Sequence, residues 1–178
     1  MVVAILMGKG KNLGFPGKNV WPVLGRPLMT YPLAAGKGAK LVDEVYVTTD
    51  CDKIKAIAVE YGAKIIGRPP ELCTPDALGE DVYVHAYHWL RDHLNDKIDI
   101  LVLLMCNAAT ITSELIDEGV NALLHDKSLD SAVSVSRYNM WSPLRARKID
   151  ERGLLKPFIP IETFTDPARL NDNRDSQG

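Results

Sequence analysis

Val2-Val3-Ala4-Ile5-Leu6-Met7-Gly8-Lys9-Gly10-Lys11-Asn12-Leu13-Gly14-Phe15-Pro16-Gly17-Lys18-Asn19 opens with an uninterrupted apolar run and passes directly into a loop of four glycines and three lysines. A strand that is apolar at every position, not at alternate ones, has both faces covered, the condition of a central strand in a parallel sheet. Working outward, similar runs recur at Glu44-Val45-Tyr46-Val47-Thr48-Thr49, Lys64-Ile65-Ile66 and Ile98-Asp99-Ile100-Leu101-Val102-Leu103-Leu104, with Ala132-Val133-Ser134-Val135-Ser136 as an expected fifth strand. Between them, residues 27–38, 52–62, 78–94 and 113–125 read as helices. Ile54, Ile57 and Ala58 recur at helical spacing, and Leu115, Val120, Leu123 and Leu124 leave a comparable stripe. Gly38 and Gly62 stand where helix C-caps belong, and Asp50 and Thr112 or Ser113 where N-caps belong. Strand and helix alternate, which predicts an α/β fold, three-layered, with a mostly parallel sheet.

The 178 residues are 46% apolar, enough for one sizeable core and about one domain. Residues 1–137 read as the α/β core. Residues 138–164, rich in proline and aromatic side chains and with a polar turn at Asp150-Glu151-Arg152-Gly153, read as a protruding hairpin arm of the same domain. Residues 165–178 read as a polar tail or a truncated C-terminal segment. A formal net charge of -2 offers no basic face for nucleic acid or an anionic membrane. No stretch approaches the ~20 apolar residues of a membrane-spanning helix, and the apolar start lacks the basic flank of a signal peptide. Cys51, Cys73 and Cys106 are odd in number and far apart, which argues against a disulfide framework or structural zinc and points to a reducing cytoplasm.

The loop at residues 8–19 carries the chemistry. Its glycines let the backbone approach a ligand, and Lys9, Lys11 and Lys18 can balance phosphate charge, a composition suited to a triphosphate. Two familiar phosphate motifs do not match. A G-x-G-x-x-G dinucleotide fingerprint fails because the third glycine, Gly14, falls one place late and Pro16 and Pro22 interrupt any following helix. A Walker A loop fails because Asn12 stands where its first glycine should be and Asn19 where Ser or Thr should follow Lys18. The competing reading is a solvated surface loop.

The order of further motifs narrows this. Phe15-Pro16-Gly17-Lys18-Asn19, Leu24-Gly25-Arg26-Pro27-Leu28, Val47-Thr48-Thr49-Asp50, Gly62-Ala63, Arg68-Pro69-Pro70-Glu71-Leu72, Val84-His85-Ala86 and Asp130-Ser131-Ala132-Val133-Ser134-Val135 follow one another along the chain. In order and spacing this resembles the acylneuraminate and KDO cytidylyltransferases. The resemblance implies a nucleotidyltransferase fold of the nucleotide-diphospho-sugar transferase type and transfer of CMP from CTP to an acidic, sialic acid-like sugar with release of pyrophosphate. It implies catalytic roles for Lys9 and Lys18, and nucleotide binding by Gly8, Gly10, Asn12, Lys18, Asn19, Arg68, Asp76, Ala77 and Gly79. Asn107 and Arg145 would meet the sugar, Mg2+ would serve as cofactor, and the arm would build a homodimer.

Three departures keep other readings open. Lys9 stands where the family has an arginine, keeping the charge and losing the bidentate fork. Leu104-Met105-Cys106-Asn107-Ala108-Ala109-Thr110-Ile111 replaces the family's L-Q-P-T-S-P-L-R, and the family's later metal-binding aspartate pair has no counterpart; Asp172 and Asp175 match it only in composition. A catalytically silent nucleotide- or sugar-binding homologue, or a nucleotidyltransferase for another sugar, are the alternatives. Asp50 reads as a helix N-cap, Cys106 as a buried small residue, and His85 and His88, with Asp81 nearby, as packed or solvated side chains lacking a third metal ligand.

Overall fold

A computed structural model describes residues 1–10, 15–74, 77–135 and 146–159. The chain divides into two compact units, residues 1–133 and 134–178. In the first, β1 (Val2–Gly8) is followed by a two-residue ladder of β2 (Pro22–Val23) and β3 (Arg26–Pro27), then α1 (Thr30–Gly38), β4 (Glu44–Thr49), α2 (Asp52–Glu60), β5 (Lys64–Gly67), α3 (Gly79–His93), β6 (Ile100–Met105) and α4 (Ser113–His125). Short 3-10 turns stand at Lys18–Val20 and Pro70–Cys73.

The main sheet has the order β5-β4-β1-β6 with every pair parallel. The pleat of β1 sends Ala4 and Leu6 to one face, where they pack with Leu33 of α1, Ile54 and Ala58 of α2, and Ile116 and Val120 of α4. Val3 and Ile5 face the other side, against Ala86 and Leu90 of α3. These β1 side chains are fully buried on both faces, which is why the run is apolar without alternation. The result is a three-layer α/β fold. Thr112 caps α4 by accepting from the Leu115 N–H at 3.3 Å, and Asp117 of the same helix accepts from the Lys40 and Leu41 N–H groups just beyond α1. Gly62, at φ 73, turns the chain out of α2 in a left-handed conformation that glycine adopts without a Cβ penalty.

Four sequence expectations are corrected. Gly38 is the last residue of α1 without a positive φ, and Ala39 holds the C-cap position. Of the strand expected at Ala132–Ser136, residues 132–135 form none and Ser136 lies outside the described residues: Val133 and Val135 are 77% and 87% exposed, and β6 pairs only with β1 among the described residues. An alternating segment becomes a strand only where a ladder partner satisfies its backbone. The first helix starts at Thr30, because Arg26 and Pro27 pair with Pro22 and Val23 across a tight turn at Leu24-Gly25. Asp50 does not cap α2; Cys51 occupies the N-cap position and no side chain closes that helix end. In the second unit, β7 (Arg147–Ile149) and β8 (Leu155–Pro157) form an antiparallel hairpin around the expected turn, where Asp150 Oδ1 accepts from the Arg152 and Leu154 N–H groups.

Candidate active site

In this sheet the chain runs from β1 outward through β4 to β5, then returns to the other side of β1 as β6. The reversal lies between β1 and β6, and open α/β sheets present a crevice beyond the carboxyl ends of their strands at such a point. A cleft of about 250 Å³ opens there. Met7 and Lys9 reach it from the end of β1, Met105, Cys106 and Asn107 from the end of β6, Lys18 and Asn19 from the first 3-10 turn, Arg68 and Leu72 from the segment after β5, and Ala77, Gly79 and Val82 from the start of α3.

Seven of the residues singled out in the sequence therefore share one cleft: Lys9, Lys18, Asn19, Arg68, Ala77, Gly79 and Asn107. Gly8 and Gly10 support it through the backbone. Asn12, Asp76 and Arg145 lie outside the described residues. The lining that composition did not flag is apolar: Met7, Leu72, Val82 and Met105. Their runs read as ordinary core, and only the register of β1 against β6, which sets Met7 beside Met105, brings the two thioethers to the crevice.

Each cation is held differently. Arg68 Nη2 donates to the carbonyls of Gly8 at 3.1 Å and Thr48 at 2.7 Å, so the guanidinium ties the ends of β1 and β4 together. Its Nε is buried without a partner among the described residues. Burial lowers the Arg68 pKa from its ordinary value, opposed by the attraction of Asp50. Lys9 Nζ donates to the Thr74 carbonyl at 2.6 Å, reaching the segment after the second 3-10 turn. The Lys18 side chain makes no hydrogen bond or ion pair among the described residues, although its backbone does, the N–H donating to the Phe15 carbonyl at 3.2 Å. Asn19, 4% exposed, donates through Nδ2 to the Lys9 carbonyl at 3.0 Å.

Cys106 is buried, its thiol pushed up to about 12 by desolvation, and Tyr83, whose hydroxyl donates to the Leu104 carbonyl at 3.0 Å, is likewise raised to about 12 by burial. Neither is ionised near neutral pH. Cys106 therefore does not act as a thiolate nucleophile, in line with its reading as a buried small side chain. The arrangement is a cationic crevice with an apolar flank, suited to holding an anionic, partly aromatic ligand and to stabilising charge that develops on phosphate oxygens.

Fold and cleft define a class, the three-layer α/β domains with a mostly parallel sheet and a crevice beyond the carboxyl ends of its strands. Within that class the chain belongs to the cytidylyltransferase family, whose model matches residues 4–148. It is 29% identical over 157 residues to the N-acylneuraminate cytidylyltransferase of Escherichia coli O18:K1:H7, covering 88% of this chain and 36% of that protein. It is 28% identical over 136 residues to the 3-deoxy-manno-octulosonate cytidylyltransferase of Bdellovibrio bacteriovorus, covering 74% and 49%. Among solved structures, a CMP:2-keto-3-deoxy-manno-octonic acid synthetase complexed with CTP superposes with a TM-score of 0.61 at 20% identity, over 72% of this chain and 49% of that one. That likeness bears on the fold. The chain thus spans about a third to a half of the length of these relatives.

Proposed function

We propose that the protein binds CTP in the cleft beyond β1 and β6 and transfers its CMP moiety to an acidic sugar of the sialic acid or KDO type, releasing pyrophosphate. The observation that carries this reading is the convergence of Lys9, Lys18 and Arg68 with the Ala77 and Gly79 segment and Asn107 in one crevice of a cytidylyltransferase-family domain. A sugar hydroxyl, giving up its proton to solvent, attacks the α-phosphorus, the bond from that phosphorus to the bridging oxygen of pyrophosphate breaks, and Lys9 and Lys18 neutralise the charge that grows on the leaving group. Arg68 and the Ala77–Gly79 side of the cleft face the base, and Asn107, at the end of β6, faces the sugar. Asn12 and Asp76 belong to the nucleotide side of the same reading.

The magnesium ion that the family resemblance implies needs oxygen ligands, with one or two carboxylates supplementing the phosphates. Among the described residues no three Asp, Glu, His or Cys groups converge, so they form no protein cage for it. The charge stabilisation these residues offer comes from lysine and arginine. No helix among the described residues is long and apolar enough to cross a membrane, and the three cysteines are free thiols, in keeping with a cytoplasmic protein. A homodimer built through the hairpin completes the proposal.

Thermal unfolding tests the substrate class. CTP raises the melting temperature more than ATP, GTP or UTP, since a ligand bound only by the native state adds about 2.7 kcal/mol at a hundredfold excess over its Kd. Equal shifts from all four nucleotides refute cytosine selectivity. Pyrophosphate release from CTP with sialic acid or KDO separates an active transferase from a binding homologue.

A further inference from the structure

Three consecutive residues of the phosphate-side loop each have a backbone group held by a side chain from a different element. The Gly8 carbonyl accepts from Arg68, the Lys9 carbonyl accepts from Asn19, and the Gly10 N–H donates to Asp50 Oδ1 at 2.9 Å. Arg68 and Asn19 line the cleft. Asp50 has no role in the reaction as outlined: it follows β4, does not cap α2, and enters no ion pair among the described residues. The contact is steric as well as polar, because a Cβ on Gly10 would fall 2.8 Å from Cys51 Cβ, so the loop backbone rests directly on the corner between β4 and α2. A carboxylate beside a triphosphate site opposes the anion it is meant to serve, so its use lies in the bond it makes. That bond is charge-assisted, and stronger than one between neutral groups.

We propose that Asp50 is a positioning residue for nucleotide binding: by holding the Gly10 N–H it fixes the path of the loop and sets Lys9 at the mouth of the cleft. The inference rests on the CTP reading for its effect on affinity, and on the protein alone for its effect on the loop. Asn can still accept from the Gly10 N–H through its carbonyl oxygen, whereas Ala cannot. The expected result is that Asp50→Ala weakens CTP binding about tenfold in calorimetry, while Asp50→Asn recovers most of the loss. Amide exchange at Gly10, followed by NMR on the full chain without nucleotide, is slow in the original protein and in Asp50→Asn and fast in Asp50→Ala. Equal loss of affinity in both variants with Gly10 still protected overturns the proposal and makes the charge of Asp50 the relevant property. Fast Gly10 exchange in the unsubstituted protein overturns it as well. If the unsubstituted protein does not bind CTP, the functional reading fails, and Gly10 exchange still decides whether Asp50 holds the loop.

Discussion

Lys9, Lys18 and Arg68 carry the same charge and have different amounts left to give. Arg68 spends donors on the Gly8 and Thr48 carbonyls and Lys9 Nζ is on the Thr74 carbonyl, while no hydrogen bond or ion pair among the described residues engages the Lys18 ammonium. A triphosphate gains most from the ammonium that gives up no existing bond. Lys18→Ala is therefore expected to weaken CTP binding by roughly five- to tenfold, with Lys18→Arg retaining most of the affinity through its charge. Calorimetry on variants of unchanged melting temperature measures this, and an unaltered Kd for Lys18→Ala removes Lys18 from the phosphate site. Cys106 reads in the sequence as a buried small residue, and its burial just after β6 bears that out.

At the scale of elements, the strength of a local signal tracks how fully the chain must bury it. β1 and β4 lie in the interior of the sheet and β5 pairs with β4 at its edge, and their apolar runs locate them in the sequence to within a residue or two. The α4 boundaries at Ser113 and His125 match those read from a cap at Thr112 or Ser113 and the polar run after Leu124, and the cap is Thr112. That cap gives a direct test. Thr112→Ala removes the acceptor for the Leu115 N–H on a helix whose Ile116 and Val120 sit in the core, and it is expected to cost about 1 kcal/mol in urea unfolding. A change within a few tenths of a kcal/mol argues that water satisfies that N–H equally well. What sequence reading missed depends on partners far along the chain. Pro22–Val23 and Arg26–Pro27 are too short to show a period, Asp50 looks like a cap until the loop at Gly10 is seen to claim its carboxylate, and residues 132–135 carry strand-like alternation but join no ladder among the described residues. The β1 side of the cleft was legible because Lys9, Lys18 and their neighbouring glycines follow that strand directly, whereas Arg68, Ala77, Gly79 and Asn107 were reached only through the order of the family's motifs. Its apolar wall was not, since Met7 and Met105 meet only through the register between β1 and β6.

At the scale of the whole molecule, the hairpin carries the dimer proposal. Ile149 and Leu155 are direct cross-strand partners and so lie on one face of the β7-β8 ladder, where they are 72% and 71% exposed. Arg147 and Pro157 share that face two residues away, while Lys148 and Lys156 pair on the opposite face. Leu154 and Phe158 add further exposed apolar surface. Two three-residue strands are marginal on their own in water and gain independent stability only by burying such a face, so a second copy of the chain is the partner we infer. Light scattering of the intact chain at a few tens of micromolar is expected to give twice the monomer mass. Replacing Leu155 and Phe158 together by Ser and Lys should shift it to the monomer mass, because loss of two buried apolar side chains costs an interface about 3–6 kcal/mol, or at least a hundredfold in dissociation constant. Circular dichroism on the same variant checks that the α/β unit, whose core contains neither residue, stays folded. A monomeric intact chain, or a variant that remains dimeric, places the interface elsewhere or removes it.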